Sequence, residues 1–346
     1  MSVWPPPCIR GFLAYAGRRP MKEFLFLIWC SMSYAQTVRL CLSSWITHLL
    51  TAVPLRARAT FVELLCGCLI SPEGWVTRAI SAITRGRHWT TYYKLLERGS
   101  VRTLRLARAL FEVVNDALPM ETLNLVIDDT LIPRQSEKAP GSIIRHDHAK
   151  RNNRPQFLLA QCWVTLGVSV LGSAGRKYVL PIVSRSVPVT GNRNKLTIAL
   201  ALVRSLAPVM MNKPVRLLFD AWFMRARLVL PLLSRKMPII GQARCDTALF
   251  LPPDVVLKPG RGQPKTYGIK MTPEAIRNLP VTEVKLTLYG KEQLVRLRTV
   301  VAMARFLKRT LVRAVWCEFY DADKQRWSKA RLLLATETDL RAEEIL

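Results

Sequence analysis

Two aspartates stand at positions where metal chemistry is readily built. Asp128 follows Leu125-Val126-Ile127, and Asp220 follows Val215-Arg216-Leu217-Leu218-Phe219. Both runs of strand-forming residues read as buried strands, so each carboxylate closes a strand. Carboxylates are seldom buried unless paired or bound to metal. If the two strands are neighbours, about 4.8 Å apart, their terminal carboxylates can share one divalent cation. Mg2+ takes hard oxygen ligands and keeps positions open for phosphate and water. Two such ions about 3.5–4 Å apart would clamp the attacking and leaving oxygens of an in-line phosphoryl transfer. Asp129 is a further candidate ligand. Successive strand side chains point to opposite faces, however, so Asp128 and Asp129 cannot both face one site on a regular strand. The same spacing fits a plainer role, with Asp128-Asp129 capping a helix or turn. From spacing alone that cap is the stronger reading.

Other combinations carry less. Pro253-Asp254 followed by Glu283-Val284-Lys285 fits the short PD…ExK pattern of restriction-type nucleases, with Asp254 and Glu283 as ligands and Lys285 positioning the attacking water. Matches to so short a pattern arise by chance. His146-Asp147-His148 has no third ligand nearby and reads as part of a solvated basic loop. The eight cysteines contain no CxxC pair. They read as small core hydrophobes in a reducing cytosol rather than as a zinc site or a disulfide framework. Trp163 and Trp222 flank the candidate core strands. Core packing is the default for both, with stacking on a displaced base as a second reading of Trp222.

The elements that must hold the aspartates divide by period. Residues 1–35 are irregular, broken by Trp4-Pro5-Pro6-Pro7 and Arg18-Arg19-Pro20. From Thr37 to Pro119 the pattern is helical. Its clearest helix is Val101–Leu118, with a stripe of Leu104, Ala107, Phe111, Val114 and Leu118. Before it, Arg85, Arg87 and Lys94 alternate with Trp89, Tyr92 and Tyr93, a dressing suited to DNA phosphates or to a solvated basic face. At Asn124 the period shifts to strand. Residues 134–155 read as a polar loop beside the first aspartate, and its Arg145, Lys150 and Arg151 are expected to contact DNA phosphates. Strands follow at Phe157–Val170 and Tyr178–Ser184, a buried helix at Leu196–Leu206, and a helix at Phe223–Lys236 that Pro231 should kink or split. A strand follows at Pro238–Ala243. A Pro- and Gly-rich loop spans 251–268, and β-rich sequence comes after it.

Charge narrows the partner. The chain has 346 residues, with 52 Lys and Arg against 24 Asp and Glu, a net of +28. Such an excess calls for an anionic partner, nucleic acid or an acidic surface. Half the residues are hydrophobic, which excludes a wholly disordered chain. The apolar run Phe24–Cys30 is too short to span a bilayer, so no membrane partner is expected.

Val126-Ile127-Asp128-Asp129-Thr130-Leu131-Ile132-Pro133-Arg134 resembles the first catalytic strand of DDE-type insertion-sequence transposases. Leu217-Leu218-Phe219-Asp220-Ala221-Trp222-Phe223 is similar to their second acidic motif. Gly241-Gln242-Ala243-Arg244 and Ala248–Pro253 resemble the next segment of that family. The resemblance covers roughly 124–255 well and the N-terminal helices loosely. It implies an α/β, RNase H-like mixed-sheet core over 121–250, a helical DNA-binding region over 36–120, a β-rich insertion over 251–330 and the start of a final core segment over 331–346. It implies Mg2+, with Mn2+ as substitute, held by Asp128 and Asp220. The implied activity is strand cleavage and transfer at the terminal inverted repeats of a mobile element, by a homodimer assembled on double-stranded DNA in the bacterial cytoplasm. The family's third acid sits in a Tyr-x-x-Arg…Glu helix, and no such pattern occurs after Asp220. Glu343 and Glu344 precede its expected position, so the chain reads as truncated before that acid. A DNA-binding fragment that inhibits transposition is the alternative.

Overall fold

The computed structural model describes residues 33–71, 73–99, 101–147, 155–172, 176–190, 194–210, 213–253, 266–288 and 290–346. The chain divides into two compact units, the first ending at Met120 and the second starting at Glu121.

The first unit is helical where described. Helix α1 (Tyr34–Leu49) starts at a capping box: Ser33 Oγ accepts from the Gln36 amide, and Gln36 Oε1 accepts from the Ser33 amide. Helices α2 (Arg58–Ile70), α3 (Val76–Ser81) and α4 (Trp89–Arg98) meet in a small core of Leu64, Ala79, Ile80 and Tyr92. The fully buried Tyr92 hydroxyl donates to Glu63, which satisfies the one polar group that the core would otherwise strand. Helix α5 (Thr103–Ala117) buries Ala107, Phe111 and Val114 of the expected stripe, whereas Leu104 stays 40% exposed. At Gly67 of α2 the backbone approaches α3 so closely that a Cβ would lie 2.2 Å from the Ala79 carbonyl oxygen. Gly67→Val should therefore force α2 and α3 apart and cost about 1–3 kcal/mol, the usual range for overpacking. A denaturant melt of the variant measures it.

The second unit is one mixed α/β sheet. Its strands are β1 (Leu123–Pro133), β2 (Ile143–His146), β3 (Phe157–Leu171), β4 (Lys177–Ser186), β5 (Val215–Phe219) and β6 (Ile239–Ala243), followed by β7 (Leu249–Phe250), β8 (Thr282–Leu288), β9 (Lys291–Ala304), β10 (Thr310–Asp321), β11 (Arg326–Trp327) and β12 (Arg331–Ala335). The order is β2-β3-β1-β5-β6-β12-β10-β9-β7, with β4 also on β3, β8 on β9 and β11 on β10. Only β1–β5 and β5–β6 pair in parallel among the described residues. Helices α6 (Lys195–Met210) and α7 (Ala226–Leu233) lie in the connections leading into β5 and β6, as parallel pairing requires. This architecture is consistent with an RNase H-like core.

Two expectations are corrected in detail and a third is filled in. The loop 134–155 contains β2, an edge strand too short and too polar to show a period. Helix α7 starts at Ala226 rather than Phe223, because residues 221–223 turn around Asp220, and it runs through Pro231 without splitting. The β-rich segment after residue 268 supplies β8 to β11, which extend the core sheet through β12.

The two sheet faces differ. Leu125, Ile127, Leu217 and Phe219 lie on the face that α6 packs against, together with Cys162, Val164 and Leu166 of β3. On the opposite face Leu218, Ile240, Leu333 and Ala335 pack under β8 and under helix α9 (Ala342–Ile345), through Ala342 and Ile345.

Candidate active site

The parallel register sets Ile127 beside Phe219. The next residues, Asp128 and Asp220, therefore stand side by side where β1 and β5 point their carboxyl ends. In open α/β sheets that is the edge where ligands bind. Alternation turns both carboxylates to the face of Val126 and Leu218, and both reach solvent. Each is held by backbone amides. Asp128 Oδ1 accepts from the Asp129 amide at 2.8 Å. Asp220 Oδ1 accepts from the amides of Trp222 and Phe223 at 3.0 and 3.2 Å, a turn that orients the side chain.

Desolvation raises the Asp128 pKa, and the charges of Asp129 and Asp220 push it further, against the lowering effects of the Asp129 amide and of Lys195. A raised carboxylate pKa means that ionised Asp128 is less welcome in the folded chain than in the unfolded one. Its contribution to stability is greatest at acid pH and is lost as pH rises through the folded pKa. In metal-free buffer near neutrality, Asp128→Asn should therefore melt higher than wild type, and the gain should shrink as pH falls into the carboxylate range. Melting curves at pH 7.5 and 4 measure both. Two neighbouring carboxylates that repel each other form a hard-oxygen donor set, and a divalent cation fits that set.

Asp129 faces the other way. Its Oδ2 accepts from Lys195 Nζ at 2.7 Å, with both side chains mostly buried, and Cys162 Sγ lies 3.5 Å away. Burial pushes the Cys162 thiol up to about 11, so it stays protonated. Lys195 Nζ also sits 4.7 Å from the centre of the Trp222 ring, which ties the first residue of α6 to the turn after Asp220. Sequence reading missed Lys195, whose only local signal is a lone cation at the head of an apolar helix.

The expected DNA-contacting cations are dispersed. Arg85, Arg87 and Lys94 are exposed on the first unit, around the start of α4 and beside exposed Trp89 and Tyr93. Arg145 lies on β2 of the second unit, and its buried Nε has no hydrogen-bond partner among the described residues. Lys150 and Arg151 lie outside the described residues, as do His148 and Asp254. Glu283 of the PD…ExK pattern is on β8 and is held by Arg296 at 2.9 Å. Glu344 caps its own helix by accepting from the Arg341 amide at 2.8 Å. Among the described residues no group of three or more His, Cys, Asp and Glu side chains converges as a metal site. Nor is any described helix long and apolar enough to cross a membrane.

A family model described as DDE superfamily endonuclease matches residues 48–303, a span that contains both aspartates. Comparison with curated proteins returns no match.

Proposed function

The chain belongs to the DDE superfamily endonucleases, and from that premise we propose that it is the transposase of a bacterial insertion sequence. It cuts and joins DNA at the terminal inverted repeats of its element. The observation that carries this reading is the parallel register of β1 and β5, which makes Asp128 and Asp220 neighbours at one sheet edge.

Asp128 and Asp220 would hold the divalent cation, Mg2+ or its substitute Mn2+. When bound, that ion supplies Lewis-acid activation of the scissile phosphodiester and charge stabilisation of the oxygens around it. The chain's own groups do the rest. The amides of Asp129, Trp222 and Phe223 fix the two carboxylates before DNA arrives, which avoids reorganisation during the reaction. Lys195 clamps Asp129 and draws its charge away from Asp128. Arg145 of β2 meets a phosphate of the duplex, and Lys150 and Arg151, from the same basic segment of the sequence, are assigned the same role. Arg85, Arg87 and Lys94 hold the duplex from the helical region over 36–120, with catalysis assigned to 121–250 and support to the strands of 251–330. Two copies acting on two element ends would form a homodimer on DNA.

The test is nicking of DNA carrying both element ends, with Mn2+ present. A slow, metal-dependent reaction is expected, because no third acid joins the pair among the described residues. Duplex binding without any metal-dependent nicking would favour the inhibitor reading instead.

A further inference from the structure

Beside the aspartate pair lies a cavity that the metal chemistry does not use. Its volume is about 570 Å3, and its lining includes Ala221, the residue after Asp220. It sits over the carboxyl ends of β5 and β6, on the far side of Asp220 from β1 in the strand order. Met224, Ala243 and Phe306 give it an apolar lining. Arg225, Arg244 and Arg305 stand around it and all three are exposed. Arg305 and Phe306 arrive from the short turn Arg305–Leu307 that joins β9 to β10. Long-range sheet pairing therefore brings them to a site that sequence spacing could not show.

The cations are not equally free. Arg244 forks onto Asp246 at 3.0 and 2.7 Å, which neutralises the one acid lining the cavity. Arg225 and Arg305 make no ion pair among the described residues. An apolar basin of this size with two unpaired guanidinium groups at its mouth suits a ligand with a flat apolar body and an anionic group. A nucleotide within a DNA strand is such a ligand. Ala221 of the cavity wall directly follows Asp220, so a strand held at Asp128 and Asp220 would have this cavity as its neighbour.

We infer that this cavity receives one nucleotide of the strand being cut. Its base rests against Met224 and Phe306, and its phosphate is met by Arg225 and Arg305. The identity of the strand rests on the metal-site reading above, whereas the occupancy of the cavity does not. The pocket would hold one unstacked nucleotide next to the reacting phosphate, so that the strand is gripped on the side of Asp220 away from Asp128.

The test uses the whole chain and a fluorescein-labelled thymidine hexamer, in metal-free buffer, read by anisotropy. Arg225→Glu and Arg305→Glu should each weaken binding about tenfold or more, as expected for a lost charged hydrogen bond. Arg277→Glu, the same charge change on exposed helix α8 (Pro273–Arg277), should change binding less than about twofold. Phe306→Ala should weaken the thymidine hexamer about tenfold yet leave an abasic hexamer of equal length unchanged, because stacking needs a base. Equal losses at positions 225, 305 and 277 would overturn the proposal, since only net charge would then matter. So would an unchanged ratio of thymidine to abasic binding in Phe306→Ala. If Phe306→Ala does not fold, the exposed arginine variants decide alone. Failure of Mn2+ binding at the aspartates with these results intact would sink the catalytic reading and leave the pocket. The converse would remove the pocket and leave the catalytic reading.

Discussion

Asp128→Ala and Asp220→Ala should each reduce Mn2+-dependent nicking of element-end DNA by at least about a hundredfold. Removing a group that only orients a metal ligand already costs about 10–100-fold, so removing a ligand should reach or exceed the upper end. Among the described residues the two carboxylates on adjacent strand ends have no spare partner: Asp129 is committed to Lys195 on the opposite face. Asp129→Asn should therefore fall at the lower end, about tenfold, through loss of the Lys195 clamp rather than of a ligand. Lys195→Met should match it, and the double variant should be little worse than either single one, because both changes break one ion pair. Initial nicking rates of the five chains measure the series. Equal losses at Asp128 and Asp129 would mean that the strand twists enough to bring both carboxylates to one site.

The second large effect is in DNA affinity. With a net charge of +28, binding to duplex should be governed by phosphate contacts and counterion release. Affinity should fall by about a thousandfold or more between roughly 50 and 200 mM salt. Replacing Arg85, Arg87 and Lys94 together by Ala should lower the slope of log affinity against log salt by about three, one for each phosphate contact, with little change in sequence preference. Titrations at four salt concentrations give the slope. A slope unchanged in the triple variant would move the duplex contacts off the start of α4. Their exposure alongside Trp89 and Tyr93 supports the assignment, since aromatic faces next to cations suit a nucleic-acid surface.

Much of this fold is legible one segment at a time. Leu125-Val126-Ile127 and Leu217-Leu218-Phe219 are apolar without a break, the pattern of a strand inside a sheet, and Leu125, Ile127, Leu217 and Phe219 are buried, whereas Arg216 earlier in the second run pairs with Glu337. The pairing of β1 with β5 is not legible locally, because β2, β3, β4 and α6 all lie between them in the chain; only the resemblance to DDE transposases implies it. Strand β2 was hidden because an edge strand of four residues, Ile143 to His146, has too few positions to show alternation. The extension of the sheet from β6 through β12 to β10 and β9 was hidden for a different reason. It joins Gly241 to Leu334 and Ala314 to Val300, and such pairings leave no local trace in the sequence. Lys195 belongs to the same class: its partner Asp129 is 66 residues away. The turn after Asp220 also escaped, because Trp222 and Phe223 look like the start of the following helix. Their amides instead bond the aspartate and delay that helix to Ala226.

The most direct measurement is Mn2+ binding by electron paramagnetic resonance on the whole chain in the absence of DNA, comparing wild type with Asp128→Asn, Asp220→Asn and the double variant. If the two carboxylates share one ion, each single variant should lose that ion's binding almost completely. The double variant should then be no worse than either, a strongly non-additive cycle. Additive losses from the two substitutions, or wild-type binding retained in either single variant, would contradict a shared cation at the ends of β1 and β5.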